Sequence, residues 1–149
     1  MVEVYSHQSS LEVEVELLEK FQRLCCEALP HVLEKKVSDE APLVSLENVE
    51  VSIVDDPTIA QVHIDFMDIS GATDVITFHH GEIIVSIDTA LSHAAEYQHS
   101  WQRELFLYML HGLLHLAGHE DDTEQVKQRM EKAQFSLLEQ FWPAAGEST

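Results

Sequence analysis

Between Trp101 and Ala117 the residues Leu105, Phe106, Leu107, Tyr108, Met109, Leu110, Leu113, Leu114 and Leu116 recur without leaving a polar face. A helix that is apolar around its whole circumference belongs in an interior, so the other elements of this chain must be wrapped around it. Two histidines, His111 and His115, interrupt it four residues apart. Each residue turns a helix by about 100°, which returns the second imidazole to nearly the face of the first, one turn along. Burying unpartnered imidazoles costs on the order of 1–3 kcal/mol each, a cost that one shared cation removes. The i, i+4 pair therefore predicts a metal site. Gly118 permits the left-handed turn that brings the following residues back over that site.

Two residues after the glycine compete as third ligand. His119 extends the histidine row only if the helix continues. Asp121 lies six residues after His115, where a loop leaving Gly118 returns to the metal, and it is the preferred assignment. Both side chains ligate zinc; nickel and manganese also match these residue types. The position after the first histidine is Gly112, where a His-Glu-x-x-His metallopeptidase carries its general base. That argues against peptidase chemistry by this route, and an open helix face there is expected to leave room for a bulky substrate.

The remaining pattern places this helix in a mixed domain. Val2 to Tyr5 alternates as a first strand. Ser9 and Ser10 offer a cap to an amphipathic helix from Leu11 to Leu29, stopped by Pro30, although Leu11 to Glu16 alternates like a strand. Lys35 to Glu40 reads as a loop. Val49 to Val54 is a second strand, and Asp56 with Pro57 opens a helix over Thr58 to Met67. Thr73 to Phe78 and Glu82 to Ile87 flank a tight turn at His79-His80-Gly81. Asp88-Thr89 caps a helix from Ala90 to Gln98, Ser100 caps the buried helix, and Thr123 caps a last amphipathic one. Pro143 to Thr149 reads as a frayed tail. The order β-α-β-α-β-β-α-α-α describes an α+β (or α/β) fold: a small four-stranded mixed sheet packed by about five helices, with a metalloprotease-like zinc helix.

Length and composition set bounds. The 149 residues form one domain, 1–149. No apolar run reaches the roughly 18 residues that span a bilayer. Met1 to Tyr5 lacks a basic n-region and an apolar h-region, so it is not a signal peptide. Cys25 and Cys26 are adjacent and read as reduced thiols, which with the rest predicts a cytoplasmic protein. Twenty-seven acidic against eight basic residues give a formal charge of −19. Such a surface repels nucleic acid and anionic membranes at long range.

Other polar groups draw mostly structural readings. Asp74 and Glu82 are candidates to fix the histidine tautomers, or are carboxylates bound by backbone. His79 and His80 read as a solvated turn. Glu120 and Glu104 are the candidate bases, and Lys127, Arg129 and Lys132 form a solvated face.

His111-Gly112-Leu113-Leu114-His115-Leu116-Ala117-Gly118, preceded by Thr73-Asp74-Val75-Ile76-Thr77-Phe78 and Gly81-Glu82-Ile83, resembles the YbeY family of bacterial metal-dependent endoribonucleases. The family pattern is roughly Thr-Asp-Val-Leu-Ser-Phe-Pro, Gly-Asp-Ile, then His-Gly-x-Leu-His-Leu-x-Gly-Tyr-Asp-His. The resemblance implies one zinc ion, a single-strand-specific endoribonuclease of ribosomal RNA maturation and ribosome quality control, and ribosomal RNA with the small subunit as partners, without DNA. His111 and His115 match the first two family ligands, whereas the third family histidine falls on Asp121. An arginine regarded as a phosphate contact is replaced by Met67, and an asparagine four residues earlier by His63. Methionine cannot replace a guanidinium in bidentate phosphate recognition. A non-catalytic ribosome-assembly factor with a structural metal is the alternative, and a metallopeptidase comes third.

Overall fold

A computed structural model describes residues 1–144, so all but the first two residues of the expected tail lie outside it. The elements run β1 (Val2–Ser6), α1 (Val15–Glu34), α2 (Pro42–Ser45), β2 (Val49–Val54), α3 (Asp56–Met67), β3 (Val75–Phe78), β4 (Glu82–Ser86), α4 (Ile87–Tyr97), α5 (Trp101–Leu116) and α6 (Glu124–Phe141). The sheet order is β1-β2-β4-β3, with β1, β2 and β4 parallel and β3 antiparallel to β4 on one edge. This is the expected four-stranded mixed sheet. The sixth helix is α2, four residues long, too short for a periodicity to show.

Alternation along the central strands sorts the two faces. Val51, Ile53, Ile83 and Val85 point into the main core, shared with Phe21, Leu24 and Val32 of α1 and with the buried side chains of α5. Val54, Ile76 and Ile84 point the other way and pack under Ile59 of α3 in a smaller cluster. Nine of the apolar and aromatic residues that defined the central segment lie on α5, and eight of them are buried, Leu107 being partly so. Each large one buried contributes about 1.5–3 kcal/mol. Its enclosure by α1, α4, α6 and the sheet follows.

Four boundaries differ from expectation. Helix α1 starts at Val15, not Leu11, with Glu14 as its N-cap and no side-chain capping bond. Leu11 and Val13 pack on the core from outside the helix. Pro30 does not stop α1, which runs on to Glu34. An interior proline costs about 3 kcal/mol; here it is exposed, while Ala28 and Val32 on either side are fully buried and hold the last turns in place. Helix α3 is capped by Asp55, whose Oδ1 accepts from Thr58 N at 2.9 Å. Asp56 instead accepts from the hydroxyls of Ser86 and Thr89, and its N–H donates to Asp88, tying the starts of α3 and α4 together. Ser86, not Asp88 or Thr89, caps α4. Among the described residues no helix is long and apolar enough to cross a membrane.

Candidate metal centre

The last turns of α5, the loop after it and α6 converge on one point. His111 and His115 sit on the same face, rings edge to face with centroids 4.6 Å apart. Just past the Ala117 cap of α5 stands Gly118, whose φ of +99° is the left-handed conformation glycine adopts without penalty. Gly118 N donates to His115 O and His119 N to Leu114 O, both at 3.0 Å, so the chain reverses within two residues. The reversal carries Asp121 over the histidines. Its Oδ2 stands 3.9 Å from Nε2 of His111 and 3.9 Å from Nε2 of His115. One ligand atom from each of the three lies within 4.8 Å of the others.

The tautomers are set by acceptors that sequence reading did not find. His111 Nδ1 donates to Gln134 Oε1 of α6 at 2.8 Å, and His115 Nδ1 donates to the carbonyl of His119 at 2.9 Å. A carbonyl oxygen only accepts, so each imidazole carries its proton on Nδ1 and turns the lone pair of Nε2 toward Asp121. Burial, and then the neighbouring His111, push the pKa of His115 below the ordinary histidine value, which favours the neutral, ligating form. Two neutral nitrogens and a carboxylate suit one divalent cation of the zinc type. A tetrahedral ion with bonds of about 2.0–2.1 Å separates its donors by roughly 3.3–3.4 Å. Asp121, whose side chain is 51% exposed, can swing to shorten its two 3.9 Å separations, and the three donor atoms already lie within 4.8 Å of one another. The residues present fit the group.

His119, the alternative third ligand, faces away. It is buried, and its Nε2 donates to the carbonyl of Lys35 at 2.7 Å, pinning the loop to the end of α1. Its contribution is the backbone oxygen that orients His115. Asp74 and Glu82 are likewise elsewhere: Asp74 Oδ1 accepts from Val75 N at 2.8 Å, and Glu82 pairs with His80 at 3.5 Å. Gly112 is not open to a substrate. It is buried against β4, and an added Cβ would stand 2.6 Å from Ile83 Cγ2. The glycine exists because the helix lies on the sheet there.

The room lies on the other side. A cleft of about 240 Å³ is lined by Met67, Val75, Thr77, His79, His115 and Glu120, along the free edge of β3. His79 is therefore part of the cleft wall, beyond the solvated turn expected of it, while His80 stacks on Phe78. Met67 reaches the cleft; His63, one turn earlier, donates Nδ1 to the carbonyl of Gly71 at 2.9 Å. Glu120 is an exposed carboxylate beside His115, placed where a base is useful. Glu104 is not: it is buried two turns before His111, between His99 at 3.2 Å and His93 at 3.7 Å. Burial and this carboxylate hold the Tyr108 phenol well above the usual tyrosine range. Lys127, Arg129 and Lys132 are exposed, and Arg103 is engaged by the Trp142 carbonyl and Glu139.

The sequence matches the family described as endoribonuclease YbeY over residues 4–142. Relatives of that name include those of Syntrophotalea carbinolica, 33% identical with 85% of this chain and 93% of the relative aligned, and Clostridioides difficile, 29% identical with 88% and 90% aligned. That of Bacillus thuringiensis is 32% identical, with 85% and 90% aligned. A Thermotoga maritima protein solved in solution has the same fold, with a TM-score of 0.62 and 26% identity over 95% of this chain and 89% of the other.

Proposed function

Since the chain belongs to the endoribonuclease YbeY family, we propose that it is a metal-dependent, single-strand-specific endoribonuclease of ribosomal RNA maturation and ribosome quality control. It works in the cytoplasm as one domain, on RNA of the small ribosomal subunit. The observation that carries this reading is the convergence of His111, His115 and Asp121, with both Nδ1 protons already engaged, beside a cleft.

His111, His115 and Asp121 hold the cation, zinc by donor type, with nickel and manganese compatible. When bound, such an ion supplies a Lewis acid toward a phosphate oxygen and lowers the pKa of water. Asp121 contributes a negative charge where the family pattern has a neutral histidine, so that acidification is weaker than with three imidazoles. The chain's own part is geometric. Both imidazoles are oriented by their Nδ1 bonds, and burial favours the neutral form of His115. Glu120, beside His115 in the cleft, takes the proton released by the attacking water. The edge of β3, with Thr77 and Val75, forms the wall along which an extended strand of RNA lies.

The test is cleavage of an end-labelled single-stranded RNA by the purified chain. Chelation and His115→Ala should each lower the rate at least 100-fold, and zinc should restore the chelated wild type. Undiminished cleavage by metal-free His115→Ala overturns the proposal. One observation favours a second reading, an assembly factor with a structural metal: no lysine or arginine lines the cleft, and Met67 occupies the expected cation position. That reading predicts no cleavage in any form, together with a lower melting temperature on metal removal.

A further inference from the structure

The side chain that meets His111 comes from neither α5 nor the loop carrying Asp121. Gln134 lies on α6, in a row of core positions with Met130, Ala133, Leu137 and Leu138, and is only 8% exposed. A polar side chain at such a position must have its hydrogen bonds satisfied by the fold. Its Oε1 stands 2.8 Å from His111 Nδ1. Among the described residues His111 otherwise has its edge contact with His115 and the half-exposed Asp121 carboxylate at 3.9 Å, whereas His115 has a peptide carbonyl that no substitution of side chain removes.

We infer that Gln134 is the positioning residue of this metal centre, holding His111 as the Nδ1–H tautomer so that Nε2 is a lone pair and not a proton. The inference rests on the metal reading of the site. An imidazole with Nδ1 unbound is free to carry its proton on Nε2, and a proton there competes directly with the cation. The amide accepts without adding charge, so the one negative charge of the donor set stays on Asp121. Because Gln134 is on the last helix, cation affinity is coupled to the docking of α6, an element that supplies no ligand.

The test replaces Gln134 by Met, which has similar bulk and no strong acceptor, and by Glu, which keeps one. Zinc affinity is measured by competition with a chromophoric chelator. The His111 tautomer is read from imidazole nitrogen shifts of the metal-free proteins. Gln134→Met should bind zinc about 10–100-fold more weakly and shift His111 toward the Nε2–H form. Gln134→Glu should keep the Nδ1–H form and hold zinc at least as tightly as the wild type. A purely structural glutamine predicts another pattern, in which Gln134→Met melts lower while zinc affinity and tautomer stay unchanged. That pattern overturns the inference. If Gln134→Met does not fold, Gln134→Glu decides: a tenfold loss of zinc affinity overturns it. Failure of the wild type itself to take up zinc refutes the metal reading, while the tautomer in the metal-free proteins still reports on Gln134.

Discussion

An added Cβ at Gly112 would stand 2.6 Å from Ile83 Cγ2 and 2.9 Å from its Cδ1, both inside the core. Gly112→Ala gains up to about 1 kcal/mol in helix propensity but forces Ile83 off its place, an overpacking cost of roughly 1–3 kcal/mol. The expected sum is a net loss, seen as a lower urea midpoint; a midpoint at or above that of the wild type would mean that Ile83 yields freely. The same contact explains why no glutamate base can follow His111 here without displacing the Ile83 side chain. A second residue-scale prediction concerns pH. Burial, then His111, depress the pKa of His115, so the unfolded chain takes up that proton at a higher pH than the folded one. Stability of the metal-free protein is therefore unaffected above the ordinary histidine pKa, falls as pH drops below about 6.5, and levels off beneath the folded value. The slope of urea midpoint against pH in that window should be shallower in His115→Gln; equal slopes would contradict the assignment. The histidine pair was legible because i, i+4 spacing on an apolar helix is a local signal. Gln134 was not, since it is one polar residue of an amphipathic helix and its meeting with His111 depends on how α6 docks.

Most elements were legible, and the misses share a cause. Strands β2 and β4 and helices α5 and α6 fall within one residue of expectation, because alternation, apolar periodicity and the Ser100 and Thr123 caps are all written locally. The start of α1 and its passage through Pro30 are decided by packing on the core, which local propensity does not contain. The end of α5 is the element-scale feature that makes the site. Gly118 has φ of +99°, and an added Cβ would lie 3.1 Å from Val37 Cβ. Gly118→Ala should cost about 1–2 kcal/mol for the left-handed backbone alone. Because the reversal also places the His119 carbonyl and Asp121, zinc affinity should fall about tenfold or more. Chelator competition and thermal melting on the same variant separate the two effects. Lost stability with unchanged affinity would show that the loop finds its position without the glycine turn.

At the scale of the molecule the difficulty is electrostatic. A chain of formal charge −19 is proposed to hold a polyanion, in a cleft whose walls include Glu120 but no lysine or arginine. Beside the cleft, Phe66 is 70% exposed and Ile64, Met67 and Ile69 are between 41% and 50% exposed, an apolar rim at the end of α3. Strands of RNA bind such surfaces through base stacking on aromatic groups, a contribution of about 1–3 kcal/mol per base that neutralises no phosphate and so releases no counterion. Phosphate contacts behave otherwise: for single strands, log K falls against log salt with a slope of about −0.7 per phosphate neutralised. Wild-type affinity for a short single-stranded RNA should therefore be nearly flat in salt, or rise slightly as salt screens the long-range repulsion. Met67→Arg puts one guanidinium into the cleft wall. It should raise affinity and cleavage at low salt and steepen the slope by about 0.7. Affinity titrations of both proteins across a range of salt concentrations check this. If the slope does not change, the strand does not pass Met67, and the path of RNA along β3 has to be redrawn. If the slope changes and cleavage does not, the strand lies where proposed and the missing arginine is not what limits the chemistry, which returns the question to Asp121.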